Sequence, residues 1–363
     1  MRFDRQQLGR WLAVLADRRT HTARHYDLTV AVRPVDGSLE IEGRVSLDPV
    51  PEAKAGAGAV AAARAQGAEP VRGPGAEPAR VRLLLNPDLE FVPLGGLRPA
   101  GPQPPSPASP EPPSPAHAEP RSVAASAPLR EVLLPPGRDT LAFRCRGRLP
   151  REWASPRSTE LCLYNLWYPL FSTPGPPFSF RVLLKVPPMS VPAMNGRLEP
   201  LPPELRPREH DDVSPRCFLW VSEPATTDIT ACVGPYAVHE AGPVAPAREA
   251  SPPAASAWSG LIIQVYARAE HYDLAEAVLG WAERLPPALN PWLPPGPPSS
   301  SASPSPSPSS AEPPPCLRLV LPPVSNWGVY AHPGYIVIPA PLAAGRDPAG
   351  GGLDDLLADL RAE

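Results

Sequence analysis

Hydrophobic and polar residues alternate with a period of two over much of this chain. Within His25–Val32, Tyr26, Leu28, Val30 and Val32 fall on one face and Asp27, Thr29 and Ala31 on the other. Within Leu39–Leu47, Leu39, Ile41, Val45 and Leu47 alternate with Glu40, Glu42, Arg44 and Ser46. A period of two buries one row of side chains and wets the other, so both segments are read as strands. The intervening Pro34–Ser38 contains Asp36-Gly37, a dipeptide suited to a tight hairpin turn. Further strands are expected at 81–85, 89–93, 131–134, 140–146, 178–186, 217–222, 229–233, 261–267, 317–321 and 335–338. One polar face on so many strands argues for antiparallel sheets. Spacing by threes and fours appears three times: Leu8, Trp11, Leu12, Leu15; Leu274, Val278, Trp281, Leu285; and Leu353, Leu356, Leu357, Leu360. Each set marks a helix with one face in a core.

Composition adds interruptions to this pattern. Proline takes 60 of 363 positions and glycine 26, which excludes a helical bundle. The surplus gathers at 51–80, 97–128, 240–257 and 286–315, where too little apolar surface exists to offset the entropy of ordering. These stretches are read as solvated inserts, whose Pro-Ser runs are open to use as docking ligands. Charge is nearly balanced, 34 basic against 37 acidic residues, which argues against a nucleic-acid partner. No run approaches the length of an apolar membrane span. The first nineteen residues, broken by Asp4, Arg10 and Asp17, lack a signal peptide's apolar stretch. Cys145, Cys162, Cys217, Cys232 and Cys316 form no C-x-x-C pair and are read as small core residues. Together these features place the chain in the cytoplasm, off the membrane.

The order of the segments carries more than any one of them. HYDLTVAVRPVDGSLEIEGRVSL, then LYNLWYPLF, FSFRVLLKVP and MNGRLEP, then WVSEPATTDITACVGPYAV, resembles the N-terminal portion of the zinc aminopeptidases of the aminopeptidase-N and leukotriene-A-hydrolase (gluzincin) family. The resemblance covers about 21 to 363. It implies a mainly β fold: a saddle-like antiparallel β N-terminal domain followed by the incomplete α+β start of a thermolysin-like domain. On that layout residues 1–20 are an N-terminal helix. Residues 21–236 are the β-rich domain, with inserts near 51–80 and 97–128. Residues 237–260 are a linker, and 261–363 are the partial catalytic domain, with an insert near 286–315.

The family's chemistry needs zinc held by two histidines at i and i+4 and by a later glutamate. It also needs a glutamate as general base on the metal-bound water, and a G-x-M-E-N strand whose carboxylate holds the substrate's amino group. This sequence contains no H-E-x-x-H. In the register that best fits the family's zinc helix, Asp359 and Glu363 occupy the two histidine positions and Leu360 the base position. No metal ligand or catalytic residue is therefore assigned, and no cofactor is expected for the chain as given, zinc being the parent family's metal. The substrate strand matches at Gly328, Tyr330, Ala331, His332 and Gly334, with Ala331 where the amine-binding glutamate would stand and His332 at the asparagine. Backbone pairing to an extended peptide survives such changes; the carboxylate does not, and Pro333 removes a donor.

Three other histidine groups are read as non-functional. His21 and His25 have metal-like spacing but lie in what is read as a polar linker before a strand. His239-Glu240 lacks the second half of a zinc motif and meets Pro243. His210-Asp211-Asp212 lies in a proline-flanked loop. The expected function is an aminopeptidase-N-like homologue, truncated or degenerate, without catalysis of its own. The alternatives are a β module that binds a peptide or protein partner, and the N-terminal part of an active zinc aminopeptidase whose catalytic helices lie beyond Glu363.

Overall fold

The computed structural model describes residues 5–17, 20–50, 78–95, 97–99, 128–155, 157–171, 175–206, 214–242, 261–284, 316–323, 325 and 328–345. Most of the inserts, His210–Asp212, Leu285 and the 353–363 segment with Asp359 and Glu363 lie outside the described residues. The fold is mainly β, with several antiparallel sheets.

Helix α1 (Arg5–Asp17) precedes β1 (His21–Arg33) and β2 (Ser38–Pro49). The alternation read from the sequence is the burial pattern seen: Tyr26, Leu28, Val30 and Val32 are at most 3% exposed. Gly37, at φ +69°, makes the turn between β1 and β2, and the Asp36 carboxylate accepts the Ser38 N–H at 2.9 Å. That bond holds the Asp36 pKa below the ordinary carboxylate value. β1 begins at His21, so the polar linker expected there is strand. A register shift between Ala23 and His25 lets Ala23 and Tyr26, three residues apart, both face inward; this irregularity hid the strand from a period-two reading.

The chain continues through β3 (Ala79–Leu84), β4 (Leu89–Pro93), β5 (Arg98–Pro99), β6 (Leu129–Leu134) and β7 (Thr140–Arg148). Then come β8 (Ala154–Ser155), β9 (Ser158–Leu161), β10 (Phe178–Val186), β11 (Val191–Met194), β12 (Arg197–Glu199), β13 (Arg216–Thr226) and β14 (Ala231–Gly234). A seven-stranded sheet runs β12-β13-β10-β1-β2-β7-β4, a four-stranded sheet β11-β14-β9-β8, and a three-stranded sheet β3-β6-β5. The seven-stranded sheet is dry on one face. Its other face carries exposed cross-strand pairs, such as Arg146–Glu90 at 2.7 Å and Arg144–Glu42 at 3.1 Å, of the kind that adds little stability.

A further, five-stranded sheet, ordered β15-β16-β17-β19-β18, is built from β15 (Tyr236–Ala241), β16 (Ile262–Arg268), β17 (Cys316–Val320), β18 (Tyr330–His332) and β19 (Tyr335–Val337). Helix α2 (Tyr272–Arg284) joins β16 to β17, and α3 (Ala340–Ala344) follows β19. Ala275, Val278, Trp281 and Ala282 of α2 are buried against Ile263, Val265, Leu317, Leu319 and Ile336 of the sheet. Residues 237–241, expected in the linker, pair antiparallel with β16.

Two features differ from the all-antiparallel expectation. β1 pairs parallel with β10, and β16, β17 and β19 are parallel neighbours. Alternation reports which face is wet and is silent on strand direction. The β16–α2–β17 crossover requires parallel strands, because a helix between them returns the chain to the same end of the sheet. Among the described residues no helix is long and apolar enough to cross a membrane.

Candidate functional site

β18 is the last strand of its sheet, so among the described residues one of its edges has no strand beside it. It turns through Pro333-Gly334 into β19, pairing Tyr330 with Val337, Ala331 with Ile336 and His332 with Tyr335. Gly334 takes φ +72°, a conformation the tight turn requires and side-chain-bearing residues resist. A cavity of about 330 Å³ lies along this strand. It is lined by all three residues of β18, by Cys162, Leu163 and Tyr164 of a 3-10 turn, and by Asp228. Of the residues matched to the substrate strand, Tyr330, Ala331 and His332 line the cavity. Gly328 and Gly334 lie at bends on either side and do not. No lysine or arginine lines it.

Asp228 anchors the polar wall. It is 4% exposed. Its Oδ1 accepts the Tyr168 hydroxyl at 3.0 Å and the Ile229 N–H at 2.7 Å, and its Oδ2 accepts the Thr230 hydroxyl at 2.8 Å. The main chain of the same turn is fixed by Asn195, whose Nδ2 donates to the Asp228 carbonyl at 2.8 Å and whose Oδ1 accepts the Thr230 N–H at 2.9 Å. Trp167 Nε1 donates to the Ile229 carbonyl at 3.1 Å.

The chain of bonds then reaches the edge strand. His332 Nε2 lies 3.2 Å from the Thr230 hydroxyl and 3.8 Å from Asp228 Oδ2. Thr230 has one hydroxyl hydrogen and gives it to Asp228, so toward His332 it accepts. Nε2 therefore carries the proton, and the neutral ring keeps Nδ1 as a bare acceptor. Burial lowers the His332 pKa below its ordinary 6.5, and Asp228 opposes that only in part. The ring is neutral at pH 7, and among the described residues Asp228 has no arginine or lysine partner. Burial pushes the Cys162 thiol and the Tyr330 hydroxyl well above their ordinary values, helped by the negative charge of Glu160, so neither adds charge.

Sequence reasoning missed Asp228, Thr230, Asn195 and Tyr168. One signal was present: an acid set among threonines in TTDITACV, immediately before an apolar strand. Three other described histidines have ordinary roles. His25 Nδ1 bonds Ser179 Oγ at 2.7 Å across β1 and β10, His21 Nδ1 lies 3.1 Å from Thr20 Oγ1, and His239 Nδ1 lies 3.0 Å from Glu276 on α2.

Zinc finds no fit in this part of the molecule. Among the described residues no three His, Cys, Asp or Glu side chains converge to hold a metal ion. At the cavity the ligand-type side chains are His332, the Cys162 thiol, whose pKa burial raises, and the Asp228 carboxylate, whose oxygens already accept three hydrogen bonds; they do not converge on one point. No reaction step is therefore routed through a metal.

No protein-family model matches the sequence, and no curated protein matches it. Solved structures share the fold. An M1 zinc metallopeptidase from Deinococcus radiodurans aligns at a TM-score of 0.50 and 16% identity, over 89% of this chain and 61% of its own. Yeast LTA4 hydrolase, solved in complex with bestatin, aligns at 0.51 and 10% identity, over 94% of this chain and 43% of its own. The chain thus spans about half the length of these structures, and its mainly β fold is the one the sequence resemblance implied.

Proposed function

We propose that this 363-residue chain is a metallopeptidase-like homologue that holds an extended peptide along the free edge of β18 and does not hydrolyse it. The observation that carries the reading is a terminal strand whose three residues all border a cavity. An added strand would satisfy the unpaired backbone groups of that edge, and a side chain from it would enter the cavity. Ala331 brings no carboxylate to the position where the family's strand carries one, and the sequence contains no H-E-x-x-H. A boundary just ahead of β15, with a β unit before it and an α+β unit from β15 onward, belongs to the same proposal.

The test uses the purified chain. Zinc content and hydrolysis of aminoacyl arylamides are measured beside binding of blocked, extended peptides. Peptide binding without turnover is the expected result. Stoichiometric zinc together with bestatin-sensitive turnover overturns it. Recovery of a second chain carrying H-E-x-x-H in a stoichiometric complex would make the partner, and not a free peptide, the occupant of the edge.

A further inference from the structure

We infer that the cavity beside β18 is a recognition pocket for a basic side chain, lysine or arginine, of a peptide lying along that edge. The inference rests on the edge-binding reading for how the side chain is delivered, and on the cavity's own chemistry for its charge.

The first argument is charge balance. Asp228 is buried, borders the cavity, and is held by three hydrogen bonds but by no cationic side chain among the described residues. A buried carboxylate without a counter-charge favours any cation that reaches it through a low-dielectric space. Glu160, 4% exposed on β9, adds negative potential behind the same wall; its charge acts on Cys162, Tyr330 and Tyr335.

The second argument is donor–acceptor matching. With Nε2–H committed to Thr230, His332 offers Nδ1 as an acceptor, while an ammonium or guanidinium group brings only donors. Leu163, Ala331 and the Tyr164 ring supply apolar walls for the methylene stem. The third argument is delivery. A strand added to an edge presents its backbone to that edge, so the groups that leave it sideways are side chains and not a terminal amine.

His332 makes the pocket sensitive to pH. The groups facing its ring are Asp228 across the Thr230 hydroxyl, Tyr330 on its own strand, with ring centres 5.9 Å apart, and Tyr335 on β19 at 6.5 Å. Cys162 and Tyr164 lie across the cavity. Of these only Asp228 is a carboxylic acid. Protonated His332 would neutralise Asp228 and repel a second cation, so affinity falls as the pH drops through the lowered histidine pKa.

The experiment is calorimetric titration of the full chain with an acetylated, amidated pentapeptide of small residues around one lysine. Comparison peptides carry acetyl-lysine or leucine at that position, and a further one has a free amino terminus and no lysine. The lysine peptide should bind at least about ten-fold tighter than the acetyl-lysine and leucine peptides. Its affinity should hold through neutral pH and fall only at pH values below 6.5, as the histidine titrates at its lowered pKa. In His332→Gln, which keeps a neutral donor to Thr230, the pH dependence should vanish. Equal binding of the lysine and acetyl-lysine peptides overturns the inference, and that comparison needs no variant to fold. Tighter binding of the free-amine peptide than of the lysine peptide overturns it too. If every peptide binds regardless of charge, the edge reading survives and this inference fails. If n-butylammonium binds but no peptide does, the cation pocket stands and the edge reading fails.

Discussion

Replacing Asp228 tests whether the buried polar wall is held as described. In Asp228→Ala three donors lose their acceptor: the Tyr168 hydroxyl, the Ile229 N–H and the Thr230 hydroxyl. Thr230 recovers one bond by turning to His332 Nε2, whose ring moves its proton to Nδ1. The other two donors, on residues 1% and 0% exposed, stay orphaned. Each orphan costs about 1–3 kcal/mol, so the variant should lose about 2–6 kcal/mol, toward the lower half if water enters from the adjoining cavity. Tyr168→Phe in the wild-type background removes one bond to a charged acceptor and should cost about 1.5–3 kcal/mol. The sharp outcome lies in the double variant. With Asp228 gone, Tyr168→Phe removes an orphan and should restore about 1–3 kcal/mol relative to Asp228→Ala alone. Urea unfolding followed by tryptophan fluorescence measures all three, since Trp167 is bonded to the same turn. A double variant less stable than Asp228→Ala would refute the orphan-donor argument.

Other outcomes follow from packing and charge elsewhere in the fold. A Cβ on Gly43 would sit 2.5 Å from Leu28 Cδ2, 3.0 Å from the Asp27 carbonyl and 3.2 Å from the Phe143 ring, whereas one on Gly280 meets nothing within 4 Å. Gly43→Ala should therefore cost about 1–3 kcal/mol, while Gly280→Ala in α2 should gain about 0.5–1 kcal/mol, both read as shifts in the urea midpoint. Cys217 is partly exposed; Cys145, Cys162 and Cys232 are buried, and burial raises their thiol pKa values. A thiol reagent should label Cys217 first in the folded chain and reach those three only on unfolding; early labelling of Cys162 would contradict the packing. Because its pKa is depressed in the fold, Asp36 supports the β1–β2 turn above its ordinary 3.8 and loses that support as the pH falls through its lower folded value. The stability gap between wild type and Asp36→Ala should shrink over that interval in acid titrations.

Local pattern carried the elements that are local. The β1–β2 hairpin was readable because alternation and Asp36-Gly37 agree, and α2 because Leu274, Val278 and Trp281 share one face. β14 was only partly readable, since Ala231, Cys232, Val233 and Gly234 are all buried and show no alternation. β8, β11 and β12 are too short to display a period. The pairing of β1 with β10 was invisible because strand direction leaves no mark in hydropathy. The edge strand was found through family resemblance and not periodicity, and its polar wall was missed. Asp228 meets Tyr168 across 60 residues of chain, and Thr230 meets His332 across 102; spacing along the sequence does not encode such encounters.

The β1–β10 junction also dictates an order of assembly. His25 is joined to Ser179, 154 residues later, so the hairpin leaves the ribosome well before its neighbour exists. Until Phe178–Val186 is made, one long edge of β1 is bare, a template for pairing with any other nascent strand. Closing so distant a contact is slow. The vulnerable moment for this chain is therefore its synthesis, and an aggregation-suppressing factor acting in that window would raise the yield of folded protein.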